Sequence, residues 1–383
     1  MLKKFCVILL LMVLIFPINI YAEEDLLKNA KSGLLIEEST GEILYQKNKD
    51  DRVAVASMTK MVAQIIILEN IEKGTLSWDE IIKVSKNAAD MGGSQIWLQY
   101  GEEMSVRDLM KGISMASAND ATVALAERIA GTEEAFVKQM NDKVKELGLK
   151  NTNFVNPTGL DEDNHYSSAY DMAMIARELL RHKEILEFSS VYEDYIRVDT
   201  PNKFWVVNTN KLIRFYDGAD GLKTGFTDDA GYCMAVTAKR DGMRLIAVVL
   251  GEETGSVRNE ETSVLLDYGF NLYKVDVVKN KDDIITEINI EKGTKDKINA
   301  VVDEDLLVLK KKSELSKQYD IETKINEIKL PINKGDVLGK VLVKDGNKTI
   351  RQANLIASEK VEKLGYFRTI WETLQNILSG NMI

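Results

Sequence analysis

Cysteine is nearly missing from this chain of 383 residues: there are two, and Cys6 lies in the N-terminal apolar stretch. Once that stretch is removed Cys233 stands alone, so no internal disulfide can form. Cys233 sits in Gly231-Tyr232-Cys233-Met234-Ala235-Val236, which reads as a buried strand, and packing rather than thiol chemistry is expected of it. Histidine is equally scarce, with only His165 and His182. With no paired cysteines beside them, neither a zinc site nor any other cofactor is expected. Positive charge is also in deficit: the formal net charge is −10, and −12 for the side chains left once Lys3 and Lys4 are removed. Nucleic acid is therefore not an expected partner, because phosphate binding wants clustered lysine and arginine. Long apolar runs are lacking too, since the stretch from Phe5 to Phe16 is too short for a dedicated membrane span.

That stretch follows Lys3 and Lys4 and precedes Pro17 and Tyr21-Ala22, the order of a secretory signal covering residues 1–22 with cleavage after Ala22. Ile20 is larger than the residue usual two positions before the cut, and an uncleaved N-terminal anchor is the alternative. Both readings export the body of the protein to the outer face of the membrane. At 45% hydrophobic composition the chain can bury a sizeable core in more than one domain.

Three short motifs carry chemistry. Ser57-Met58-Thr59-Lys60 puts a serine three residues ahead of a lysine, which share a face if the segment is helical. A serine hydroxyl is a poor nucleophile at neutral pH and needs a base within hydrogen-bond reach, which the lysine supplies. Ser117-Ala118-Asn119 and Lys223-Thr224-Gly225 follow in order. Each motif alone is weak: a second S-x-N, Ser85-Lys86-Asn87, reads as a solvated turn. S-x-x-K and K-T-G each occur once, and the three in this order spell an active-serine acyl-transfer site.

The surrounding pattern is α+β. Residues 32–45 read as a β-hairpin, followed by an apolar helix from Lys60 to near Gly74 with Ser57 at its N-terminal end. A helical region from Val106 to Gly131 carries Ser117 near its middle, and helices are expected over 132–147 and 169–180. Strands around 195–198, 204–207, 232–237 and 245–250 suggest an antiparallel sheet packed with a helical cluster, the domain spanning 23–272. A small all-β domain is expected over 273–357. Over 358–383 a helical wheel at about 100° per residue puts Leu364, Phe367, Ile370, Trp371, Leu374, Ile377 and Leu378 within about 140° of arc. An amphipathic helix lying in a membrane interface is one reading of this face, and docking on the protein itself is the other.

The chain resembles the low-molecular-mass penicillin-binding proteins of the D-alanyl-D-alanine carboxypeptidase type over nearly its whole length. Besides the three motifs, Asn156-Pro157-Thr158-Gly159-Leu160 with His165-Tyr166-Ser167-Ser168-Ala169 resembles the family's loop below the active site, and Leu265-Leu266-Asp267-Tyr268-Gly269-Phe270 the end of its catalytic domain. Val55 departs from the proline many relatives carry there. The resemblance implies a penicillin-binding/β-lactamase-like catalytic domain in which Ser57 attacks the bond between two D-alanines of a cell-wall stem peptide and binds β-lactam antibiotics covalently. It implies Lys60 as base, Ser117 as proton relay with Lys223, and Asn119 holding both the substrate amide and Lys60. Backbone N–H groups of Ser57 and Phe226 would form the oxyanion hole. Thr224, Gly225, Thr227 and Arg258 complete the substrate site, with Arg258 on the terminal carboxylate; a surface ion pair of Arg258 with Glu260 or Glu261 is the alternative. Endopeptidase or transpeptidase action on crosslinked wall, and a β-lactamase, are the competing activities. Against a β-lactamase stands the absence of a convincing deacylating glutamate, since Glu162 lies in a sequence that resembles the carboxypeptidase loop.

Overall fold

A computed structural model describes residues 25–314 and 318–365. The expected N-terminal hairpin is formed by β1 (Ser32–Glu37) and β2 (Ile43–Lys47), which pair antiparallel. They join β3 (Ala219–Thr227), β4 (Gly231–Arg240) and β5 (Met243–Glu252) in one sheet of order β2-β1-β5-β4-β3. Every residue of β5 is buried, because the sheet is covered on both faces. Leu34, Ile36, Cys233, Ala235, Ile246 and Val248 point into the helical cluster. Leu35, Met234, Val236, Leu245 and Val249 point the other way, against Leu265, Leu266 and Phe270 of helix α5. This two-sided burial makes the strand read as a continuous apolar run rather than an alternating one. Cys233 lies in the core as expected, and burial pushes its thiol up to about 11.

The helical cluster is built round α1 (Lys60–Glu72), which is buried through Leu68. Packed about it are α2 (Asn119–Ala130), α3 (Glu133–Glu146) and α4 (Ala169–Leu179), with α5 (Gly255–Leu272) on the far side of the sheet. Side-chain caps start three of these helices: Thr132, Ser168 and Thr254 accept from the backbone N–H three residues on.

The expected single helical region around Ser117 is interrupted. A helix over Val106–Lys111 widens into a five-residue π turn, Gly112–Ala116, and Ser117 takes a left-handed conformation at φ 63° before α2 begins. Apolar periodicity continues through the break, which hides it from the sequence.

From Tyr273 the chain enters an all-β region. Strands β6 (Tyr273–Lys279) and β9 (Leu306–Lys311) form a ribbon; β7 (Ile284–Asn289), β8 (Lys297–Val302), β10 (Asp320–Ile325), β11 (Val337–Asp345) and β12 (Lys348–Ala357) form a sheet of order β7-β8-β12-β11-β10. Its core is apolar, with Ile298, Val302, Val341, Val343 and Leu355 buried. The helix expected from residue 358 does not start there. Val361 bridges Ile332, Lys363 bridges Gly293, and Leu364 donates to Lys292 O, so 358–365 extend along the β-domain. The rest of the expected amphipathic helix, and the signal segment, lie outside the described residues.

Candidate active site

Ser57 lies in a 3₁₀ turn, Ala56–Thr59, that runs directly into α1. Ala56 is held at φ 49°, a left-handed conformation that costs a non-glycine residue roughly 1–2 kcal/mol and turns the next residue out of the helical line. Lys60, the first residue of α1, is fully buried, and its Nζ lies 2.7 Å from Ser57 Oγ. The same amine donates to Thr158 O at 2.6 Å. Burial, and then the cation Lys223, hold the Lys60 amine well below its ordinary value against the opposing pull of Asp120. A neutral amine at this distance can take the Ser57 proton.

The loop carrying Thr158 is shaped by its own residues. Asn156 Oδ1 accepts from Thr158 N at 3.2 Å, Thr158 Oγ1 at 3.1 Å and Gly159 N at 2.7 Å. Gly159, at φ +83°, passes so close to the nucleophile turn that a Cβ there would fall 1.9 Å from Ala56 O. His165 anchors the other end: Val155 N donates to its Nδ1 at 3.3 Å, so Nε2 carries the proton and donates to Thr59 Oγ1 at 2.7 Å. Burial lowers His165 to about 4, keeping it neutral in this role.

On the opposite side Lys223 Nζ, on edge strand β3, donates to Ser117 Oγ at 2.8 Å and Thr224 O at 2.8 Å. Burial, helped by Arg258, lowers Lys223 to about 7. Gly225 is a place where only glycine fits: a Cβ would meet Val55 O at 2.7 Å and Ser57 N at 3.3 Å. The K-T-G strand thus lies flush against the nucleophile turn, which brings Ser57 and Phe226 together.

Asn119 differs from expectation. It does not bond Lys60, whose partner is the Thr158 carbonyl; instead Asn119 Nδ2 donates to Gly92 O and its N to Ser94 O, both at 2.7 Å. Among the described residues its buried Oδ1 has no partner, an acceptor left for a donor from outside. The neighbouring Asp120 carboxylate accepts from Ile96 N at 3.2 Å and Leu98 N at 3.0 Å, which fixes the loop bearing those carbonyls.

Thr224 Oγ1 donates to Thr209 Oγ1 at 2.7 Å, and Thr227 Oγ1 accepts from Ala230 N at 3.2 Å across the β3–β4 turn. Arg258 is 7% exposed, and among the described residues its Nε and Nη2 donate only to Asn259 Oδ1, at 3.2 and 2.9 Å. It makes no ion pair among the described residues; Glu261 binds Asn29 instead. The guanidinium lies 6.0 Å from the Tyr232 ring centre, and Tyr232 stacks on Phe226 at 4.3 Å. Glu162 is exposed and meets Asn156, not the nucleophile.

Three contributors escaped the sequence. Thr158 acts through a backbone carbonyl, which no residue type announces. Thr209 and the His165–Thr59 pair depend on contacts between distant segments, although His165 lay in a run already matched to the family.

Comparison with known proteins identifies the family. Residues 20–254 match the family model described as D-alanyl-D-alanine carboxypeptidase, and residues 273–363 match that of the penicillin-binding protein 5 C-terminal domain. The chain is 44% identical over 371 residues to the D-alanyl-D-alanine carboxypeptidase DacF of Bacillus subtilis, covering 95% of each. Among solved structures, penicillin-binding protein 5 of Haemophilus influenzae aligns with TM-score 0.71 at 32% identity, over 88% of this chain and 98% of that one. Penicillin-binding protein D2 of Listeria monocytogenes, solved in an ampicillin-bound form, aligns with TM-score 0.57 at 34% identity over 63% of this chain and 97% of its own. With a catalytic-region match longer than half its length and a relative this close end to end, the chain belongs to the D-alanyl-D-alanine carboxypeptidase family.

Proposed function

We propose that the protein is an exported serine D,D-carboxypeptidase that removes the terminal D-alanine from peptidoglycan stem pentapeptides through an ester on Ser57. The observation that carries this reading is the fully buried Lys60 amine 2.7 Å from Ser57 Oγ, held well below its ordinary value by burial and by Lys223. Lys60 takes the hydroxyl proton as Oγ attacks the carbonyl carbon of the penultimate D-alanine. The charge that develops on the carbonyl oxygen is met by the backbone N–H groups of Ser57 and Phe226. As the C–N bond breaks, Ser117 passes a proton to the leaving amine and recovers the one that Lys60 took from Ser57, while the Lys223 amine bonded to Ser117 holds its hydroxyl in place. Water then attacks the ester, giving up a proton to Lys60, which returns it to Ser57 Oγ as the C–O bond breaks and the shortened peptide departs.

Asn119 Oδ1 suits the substrate amide N–H. Thr224, Thr227 and the guanidinium of Arg258 suit the terminal carboxylate, a charge that a carboxypeptidase must recognise and an endopeptidase need not. The exposed position of Glu162 favours this reading over a β-lactamase. β-Lactams would acylate Ser57 by the same step. The segment beyond residue 365 is proposed as the interfacial membrane anchor, and among the described residues no helix is long and apolar enough to cross a membrane.

Incubation with a pentapeptide ending in D-Ala-D-Ala tests the proposal, with D-alanine release and a long-lived penicillin adduct as the expected results. Both are abolished in Ser57→Ala. Rapid cephalosporin turnover without D-alanine release would overturn it in favour of a β-lactamase.

A further inference from the structure

Two carboxyl groups that the acyl transfer does not use meet beside Arg258. Glu252 ends β5, is 1% exposed, and among the described residues neither of its oxygens receives an N–H or O–H donor. The group its side chain meets is the carboxyl of Glu261, three residues beyond Arg258 on α5. Glu261 already accepts from Asn29 N at 3.1 Å, Asn29 Nδ2 at 2.7 Å and Ala30 N at 3.4 Å. A carboxyl with that many donors is the ionised member of a pair, which leaves Glu252 as the member that keeps the proton.

The other groups around Glu252 do not change this assignment. Lys47 of β2 favours its charged form and Glu253 opposes it. Cys233 beneath is a neutral thiol, and the Lys31 side chain packs on Gly251 next door. Burial first, and then Glu261, push Glu252 up to about 8. In strand register Glu252 stands opposite Tyr232, the ring beside the Arg258 guanidinium.

We propose that the Glu252–Glu261 pair tunes substrate specificity: by holding Glu252 protonated it keeps a second buried carboxylate from cancelling Arg258, whose charge stays available to the terminal carboxylate of the substrate. The proposal rests on the reading of Arg258 as the carboxylate-binding residue. Glu252 and Glu261 touch no substrate and act through Arg258 as positioning residues. Ionisation of Glu252 sets a negative charge beside Arg258, which pairs with it and repels an incoming carboxylate.

The test compares KM for a D-Ala-D-Ala pentapeptide between the full-length protein and Glu252→Gln from about pH 6.5 to about pH 9.5. Taking the ratio of the two KM values removes the titrations of Lys60 and Lys223, which both proteins share. The ratio is expected to climb about fivefold with rising pH, with a midpoint of about 8, while the kcat ratio stays level. With the C-terminal amide of the same peptide the KM ratio stays flat. Glu261→Gln, which keeps Glu252 but removes the neighbouring charge, moves the KM inflection of the parent to lower pH. A Glu252→Gln ratio that stays flat for the free acid, or a Glu261→Gln inflection that stays in place, overturns the proposal. Arg258→Ala separates the two layers: if its KM for the free acid does not rise, the Arg258 reading itself fails; if that KM rises while the ratio is flat, only the role of the pair fails.

Discussion

The two folded regions bury very different things. The β-domain keeps an apolar core, and the buried charge there, Lys310, is paired with Asp276. The catalytic region buries Lys60, Asn119, Asp120, Lys223, Glu252 and Arg258, several without a counter-charge. Burying an unpaired charge or polar group costs stability, commonly a few kcal/mol. Where a fold tolerates that cost repeatedly within one cleft, the groups are kept for what they do. The contrast locates the chemistry by physics alone, and substitutions on the two sides of it should behave oppositely.

The largest effect is expected at Lys60. Lys60→Ala should slow acylation of Ser57 by penicillin by about 10³-fold or more, read by stopped flow, while the melting temperature is kept or raised. A loss of folding in place of a loss of rate would break the comparison.

Lys223→Met comes next and reads the cost of burial directly. Lys223 is lowered from 10.5 to about 7, so between those values the folded state binds fewer protons than the unfolded chain. Stability contributed by this group therefore rises with pH across that window. In Lys223→Met the rise is removed, and denaturant unfolding near neutral pH should show a protein more stable than the parent yet poor in D-alanine release.

His165 is expected to matter less, by about tenfold in acylation, because it acts through Thr59 and the 156–165 loop. Its value of about 4 against 6.5 makes the folded state bind fewer protons between those limits, so its contribution to stability falls as pH drops from 6.5 to about 4. The His165→Asn variant should lose that acid dependence in a melting series.

The smallest effect belongs to a polar contact between the two regions. Arg351 Nη1, on β12, donates to Ser39 O at 3.1 Å, beside the Arg177 Nη2 bond to the same carbonyl at 2.9 Å. Arg351→Ala should cost about 1 kcal/mol of stability in calorimetry and leave D-alanine release unchanged.

The sequence revealed most where structure is local. Ser57 and Lys60 are three residues apart, and the turn into α1 brings them together without help from the rest of the chain. The hairpin of β1 and β2 and the continuous run of β5 were legible for the same reason. Backbone features were not. Ser117 at φ 63° interrupts an apolar pattern that reads as one helix. Thr158 offers a carbonyl, and Asn119 turned out to be tied to Gly92 and Ser94 rather than to Lys60. At the C-terminal end, Leu364 fits a helical wheel but sits extended on the β-domain, because a few apolar residues are compatible with either period and long-range bridges decided.

The central claim is that Ser57 is activated by a lysine held neutral through burial, and the pH dependence of its acylation by penicillin tests this most directly. The account predicts a second-order rate constant that rises with an inflection well below 10.5, the ordinary value of lysine, and that loses the inflection in Lys60→Ala. An inflection near 10.5, or one that survives the substitution, would contradict it.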